Sequence, residues 1–158
     1  MFSLSSIELG VRFVGFAAAE LARLRSPLNV KNNETLGREL FSGHLKGKRL
    51  RVNAFLINEI SESGISLDRL SLAPRRLFSA VGREAAAKRS VNFKGFAEFD
   101  CASLRAIELD DGTRLDAVGD PTFENAFHAD VALMPDRGDD YYLFVATELK
   151  DISQPHLE

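Results

Sequence analysis

Residues 75–100 read RRLFSAVGREAAAKRSVNFKGFAEFD, and the spacing of the apolar side chains changes within this stretch. In the first part, apolar residues recur at intervals of three and four, which predicts a helix over residues 75–89. In the second part they alternate with other residues, which predicts a strand over residues 91–100. A helix that leads directly into a strand indicates a domain in which helices pack on a sheet.

The rest of the chain predicts further helices and strands around this pair. We expect helices over residues 7–25, 34–41 and 139–152, and strands over residues 52–57, 66–72 and 126–134. The last helix contains the β-rich run YYLFVAT, so a strand is the alternative there. Residues 110–113 read DDGT between two short alternating runs, and the Asp-Gly pair predicts a hairpin near residues 106–118. The fold class is therefore α+β, with a partly antiparallel sheet packed by about three to four helices.

Length and composition indicate one domain over residues 1–158, because a core of this size already hides about 70% of the surface that the unfolded chain exposes. The apolar stretch Ile7–Ala19 contains Glu8 and is too short to span a bilayer, so no membrane partner is expected. The lone Cys101 excludes an intramolecular disulfide, which fits a reducing cytoplasm. We treat residues 157–158 as a candidate cloning scar and leave them out of the functional argument.

Charge is distributed unevenly along the chain. Residues 1–94 carry a net charge of +8 and residues 95–158 a net charge of −11, which together give −3. One interpretation is a basic face that attracts an anionic partner, either nucleic acid or an acidic protein surface. The other is that the two halves neutralise each other in the fold. The cations of the candidate basic face are Lys46, Lys48, Arg49, Arg51, Arg75, Arg76 and Lys88.

A second candidate site is built on His128 and Asp130, which lie on the same face if their segment is a strand. A carboxylate beside an imidazole fixes its tautomer and raises its basicity, as a catalytic base requires. Arg69, in the polar segment SLDR, could bind a phosphate or a carboxylate through two hydrogen bonds. The structural alternatives are a partly buried histidine with satisfied hydrogen bonds and an arginine in a structural ion pair. No histidines have HxH or HExxH spacing, so neither a metal nor a cofactor is predicted.

Three short elements occur in and between these segments. They are SLDR at residues 66–69, FKGFA at residues 93–97 and NAFHAD at residues 125–130. In this order they resemble a group of small uncharacterised bacterial proteins, over residues 57–134. The resemblance implies no activity, but it draws attention to Arg69 and His128.

Two functions from different classes follow. The first is a non-catalytic binding or interaction module that uses the basic face. The alternative is a small enzyme that acts on a phosphate-bearing or nucleotide substrate, with Arg69 as anion clamp, His128 as acid or base and Asp130 as the group that orients it. The enzyme requires that the segments of Arg69 and His128 meet at one substrate.

Overall fold

The computed structural model describes residues 28–56, 64–122, 125–132 and 138–158. The helix predicted over residues 7–25 lies outside the described residues. Among the helices that are described, none has both the length and the apolar character that crossing a membrane requires.

Six strands form one antiparallel sheet in the order β6-β7-β4-β1-β5-β8, and β2 and β3 form a separate hairpin. The strands are β1 (Thr35–Phe41), β2 (Leu45–Lys46), β3 (Arg49–Leu50), β4 (Ile65–Arg69), β5 (Phe93–Asp100), β6 (Ala117–Gly119), β7 (His128–Val131) and β8 (Gln154–Leu157). The helices are α1 (Arg75–Lys88), α2 (Cys101–Ala106) and α3 (Asp139–Ile152), with 3-10 turns at Ser42–His44, Val52–Ala54 and Leu70–Leu72.

One face of the sheet, called here the first face, carries most of the hydrophobic core. Alternate side chains of β1, β4, β5 and β7 point into it and pack with the buried side of α3; these include Leu36, Leu67, Ala97, Ala129 and Leu149. Fully burying one such leucine contributes about 1.5–3 kcal/mol, so this layer is the main source of stability.

The opposite face, called here the second face, is covered only in part. Phe78 of α1 packs there with Leu70 and Phe96. Gly82 allows this close approach, since a Cβ atom at that position would lie 2.4 Å from the ring of Phe93. Beyond this apolar patch, the second face continues across β1, β4 and β7 with polar side chains.

The α+β class is confirmed, as are the helix over residues 75–89 and the helix that begins near residue 139. Strands form in the segments 91–100 and 126–134, as predicted, and the strand predicted over 66–72 is β4, which begins at Ile65 and ends at Arg69, before a 3-10 turn at Leu70–Leu72. The Asp-Gly turn is present, because the amide of Leu109 donates to the carbonyl of Thr113, at 2.7 Å. Its second arm then continues into β6, which pairs with β7.

Two predictions were wrong. Residues 34–41 do not form a helix: Thr35–Phe41 is β1, and it pairs with β4 on one side and β5 on the other. Pairing with a neighbour on each side outweighed the local helical pattern. The strand predicted from residue 52 is instead a 3-10 turn at Val52–Ala54, whose apolar residues are buried against the core without joining the sheet.

Candidate functional site

The polar part of the second face lies where β4 meets β7. Their antiparallel register places Asp68 opposite His128 and Ser66 opposite Asp130. Because side chains alternate along a strand, these four lie on the same face of the sheet. The Nε2 atom of His128 is 3.8 Å from Oδ1 of Asp130, which is longer than a hydrogen bond.

The elements SLDR and NAFHAD therefore become neighbours in the fold. The side-chain amide of Asn125 donates to Asp68 at 2.5 Å, and its side-chain oxygen accepts from the amide of Phe127 at 3.0 Å. The backbone amide of Arg69 donates to the carbonyl of Phe127 at 2.9 Å. The segment that precedes β7 is thus tied to β4 by both side-chain and backbone bonds.

Asp68 is only 3% exposed, and its Oδ2 atom has no hydrogen-bond partner among the described residues. Burial raises the pKa of Asp68 to about 8, and the nearby charge of Glu39 adds to the rise. The hydrogen bond from Asn125 opposes this rise without cancelling it. Asp68 is therefore a largely protonated, neutral acid at pH 7.

Asp120 completes a second group with His128 and Asp130. It follows β6 directly, and its carbonyl oxygen lies 2.9 Å from Nδ1 of His128. Each of the three residues offers one ligand atom, and these atoms all lie within 4.8 Å of one another. Sequence reasoning missed Asp120 because it lies in a turn, eight positions before His128. Only the pairing of β6 with β7 brings the two together.

Asp130 is the buried member of this group, at 5% exposure. Burial raises the pKa of Asp130 to about 6, His128 opposes the rise, and the carboxyl of Asp120 adds to it. Its Oδ1 atom has no hydrogen-bond partner among the described residues. A cavity of about 230 Å³ opens beside it, lined by Asp120 and Asp130 together with Val118, Gly119 and Ala132.

Arg69 is not part of this group. Its guanidinium is fully buried and makes two hydrogen bonds of 2.7 Å to the carboxylate of Glu34. A third bond, of 3.2 Å, goes to the carbonyl of Asn29. Since the adjacent Asp68 faces His128, Arg69 points to the opposite face of the sheet. The structure thus separates the two side chains that the enzyme hypothesis joined.

The residues of the candidate basic face fall into two sets. Lys46, Lys48, Arg49 and Arg51 are exposed on or beside the β2–β3 hairpin. The other set lies on α1, where the helical rise places Arg75 and Lys88 about 20 Å apart, with Arg76 next to Arg75. Arg75 forms an ion pair with Glu98, and Lys88 forms one with Glu84 at 3.2 Å. The hairpin is therefore where the cations are concentrated.

Comparison of the chain with models of protein families, with curated proteins and with solved structures finds no match. The resemblance to small bacterial proteins therefore stays a prediction.

Proposed function

We propose that the chain is a non-catalytic protein whose β2–β3 hairpin binds the phosphate backbone of a nucleic acid. The observation that carries this proposal is the exposure of Lys46, Lys48, Arg49 and Arg51 without an ion pair to any acidic side chain among the described residues. These four cations keep their charge available for an external anion. Neutralising phosphates with lysine and arginine releases counterions, which supplies most of the affinity of nonspecific binding.

The register of the hairpin supports the same conclusion. Lys46 lies directly opposite Arg49. Like charges in directly opposed positions destabilise a hairpin. Leu45 and Leu50 pack against the core and hold the hairpin in place despite this repulsion. We expect opposed cations, which destabilise the free protein, at a surface where a bound anionic partner relieves the repulsion between them. The net charge of −3 means that attraction must come from this local patch rather than from the whole chain.

The alternative, a small enzyme acting on a phosphate-bearing substrate, required Arg69 and His128 to converge. Arg69 is bound to Glu34 beneath the other face of the sheet, so this pair gives no support to an anion clamp with an adjacent base. We therefore retain the binding protein as the proposal.

Fluorescence anisotropy with short labelled DNA and RNA tests it. We expect binding at about 50 mM salt that weakens steeply by about 200 mM, with a slope of log K against log salt near −0.9 per phosphate neutralised on duplex DNA. The double variant Lys48→Gln/Arg49→Gln should lower affinity and flatten the slope. The control Arg114→Gln/Lys150→Gln removes the same charge elsewhere and should bind like the unmodified chain.

Equal losses in both double variants would show that only net charge matters and would refute a hairpin site. Absence of binding to DNA and RNA at low salt would also refute the proposal. If the chain then binds an acidic polypeptide such as poly-glutamate, the hairpin serves a protein partner instead.

A further inference from the structure

We propose that Asp120, His128 and Asp130 form a binding site for a divalent first-row transition cation, with Zn²⁺ and Mn²⁺ as its representatives. This site is separate from the basic hairpin, and the proposal does not depend on nucleic-acid binding. The proposed function gives no role to the polar part of the second face, and a metal site there would supply one.

The spacing of the donor atoms fits one ion. Ligand atoms that share a zinc ion at about 2.0–2.2 Å each can be at most about 4.4 Å apart. The Nε2 atom of His128 and Oδ1 of Asp130 are 3.8 Å apart, which is within the span of one shared ion. The full set of ligand atoms lies within 4.8 Å. Oδ2 of Asp120 is 3.9 Å from Nδ1 of His128, on the other nitrogen of the ring, so the side chain of Asp120, which is 60% exposed, has to rotate to share an ion with Nε2.

The imidazole of His128 is already oriented for this role. Its Nδ1 atom lies 2.9 Å from the carbonyl oxygen of Asp120, which can only accept a hydrogen bond. In the neutral tautomer that donates this bond, Nδ1 carries the proton and Nε2, 3.8 Å from Oδ1 of Asp130, is the nitrogen left to accept a metal. A histidine that ligates a metal through one nitrogen while donating its other N–H to a backbone carbonyl is the usual arrangement at protein metal sites.

Asp130 supplies an independent observation that points to a ligand. Its residue is 95% buried, and Oδ1, the atom nearest His128 Nε2, has no hydrogen-bond partner among the described residues. Leaving a buried polar atom unpaired is unfavourable, and more so for a charged group. A cation at this point would satisfy Oδ1 and would bring Asp120 and Asp130 together without repulsion.

The cavity completes the site. It has a volume of about 230 Å³ and is lined by both carboxylates but not by His128, so it leaves room for water or another ligand on the carboxylate side of an ion. Three protein ligands leave at least one coordination position free in a tetrahedral complex and more in an octahedral one. The exposed Asp120 provides the path of entry from solvent.

The donor set selects the class of ion. Calcium prefers six to eight oxygen ligands, and magnesium keeps most of its water and binds mainly to carboxylates and phosphates. An imidazole nitrogen together with two carboxylate oxygens is better suited to zinc, iron or manganese. Because the histidine contributes alone, spacing rules based on pairs of histidines could not reveal this site.

Isothermal titration calorimetry of the tag-free chain with ZnCl₂ and with MnCl₂ tests the proposal. We expect one ion per chain, and for Mn²⁺ we expect electron spin echo spectra to show coupling to one imidazole nitrogen. His128→Gln, Asp130→Asn and Asp120→Asn should each weaken binding at least about tenfold, since removal of outer-shell partners alone costs tenfold to a hundredfold. The controls His156→Gln and Asp110→Asn remove the same residue types elsewhere and should leave the affinity unchanged.

Folding of each variant is checked by circular dichroism and urea denaturation, and Asp120→Asn, on the surface, provides a test that does not disturb the core. Bound ion should also raise the melting temperature of the unmodified chain and not that of the three variants. The proposal is overturned if neither ion binds at about 1 mM, or if affinity and the nitrogen coupling survive the substitution of His128.

Discussion

The buried ion pair between Arg69 and Glu34 makes the sharpest prediction about stability. The substitution Glu34→Gln keeps the shape of the side chain and removes the negative charge that pairs with a guanidinium of 0% exposure. Breaking such a pair from one side costs about 3–5 kcal/mol, because the remaining charge is desolvated and uncompensated. Domains of this kind have a total stability of only about 5–15 kcal/mol.

The effect is measured by urea denaturation. With an m value of about 2 kcal/mol/M, a loss of 4 kcal/mol lowers the midpoint by about 2 M. Arg69→Met should cost a similar amount, because it leaves the carboxylate of Glu34 buried at 4% exposure. The double variant should cost much less than the sum of the two single variants, since neither charge then remains unpaired.

Acid provides an independent check of the same pair. Burial alone would raise the pKa of Glu34, but hydrogen bonds from Arg69 and from the backbone amide of Lys31 outweigh it, and the net direction is downward. A lowered pKa in the folded state stabilises the protein above the ordinary value of 4.5, and this stabilisation is lost as pH falls through the folded pKa. Glu34→Gln should remove that part of the acid sensitivity.

A cost below about 1 kcal/mol for Glu34→Gln, with additive effects in the double variant, would refute the reasoning. It would mean that Arg69 finds solvent or another partner, and a functional role for its guanidinium would have to be reconsidered. Nucleic-acid affinity of Arg69→Met, measured where the variant remains folded, should equal that of the unmodified chain.

Three further substitutions test local features of the fold by urea denaturation. Gly95→Ala should cost at least about 2 kcal/mol, since Gly95 has φ of 116° and a Cβ atom would lie 2.0 Å from the carbonyl oxygen of His156. Gly43→Ala, where a Cβ atom meets nothing within 4 Å, is the control and should change little. Asp100→Ala should cost about 1 kcal/mol, because the side chain of Asp100 caps α2; an unchanged midpoint would contradict this. Burial and neighbouring arginines lower the pKa of His44 to about 4, so stability should fall as pH drops from about 6.5 to about 4. His44→Asn should flatten this dependence, and an identical pH profile would refute it.

The spacing of apolar residues was sufficient to predict a helix or strand where a single period dominates the segment. The three- and four-residue spacing of apolar side chains predicted α1, which buries one side against Phe96 on the second face of the sheet. Alternation predicted β5, whose Ala97 and Phe99 enter the core on the first face. Alternation also placed His128 and Asp130 on one side of a strand before the strand was seen. Local periodicity carries this information without reference to the rest of the chain.

The spacing of apolar residues did not predict the structure where contacts between distant segments determine it. Residues 35–41 form β1, which lies between β4 and β5 in the sheet. Their conformation is set by hydrogen bonds to these two strands rather than by local propensity. Glu34 is 35 positions from Arg69, and Asn125 is 57 positions from Asp68. Nothing in the sequence links either pair. The protonated state of Asp68 likewise depends on burial that only the assembled sheet provides.

The position of β8 affects how the protein is made. It pairs with β5 along Gly95–Glu98, yet it is translated about 50 residues after β5 ends. At a synthesis rate of about 5–20 residues per second, β8 is synthesised several seconds after β5. During this time one side of the β5 backbone has no hydrogen-bonding partner from β8. An unpaired strand rich in phenylalanine invites pairing with other chains. We therefore expect the yield of native protein in cells to depend on chaperones that shield nascent chains, even though the finished sheet covers this edge.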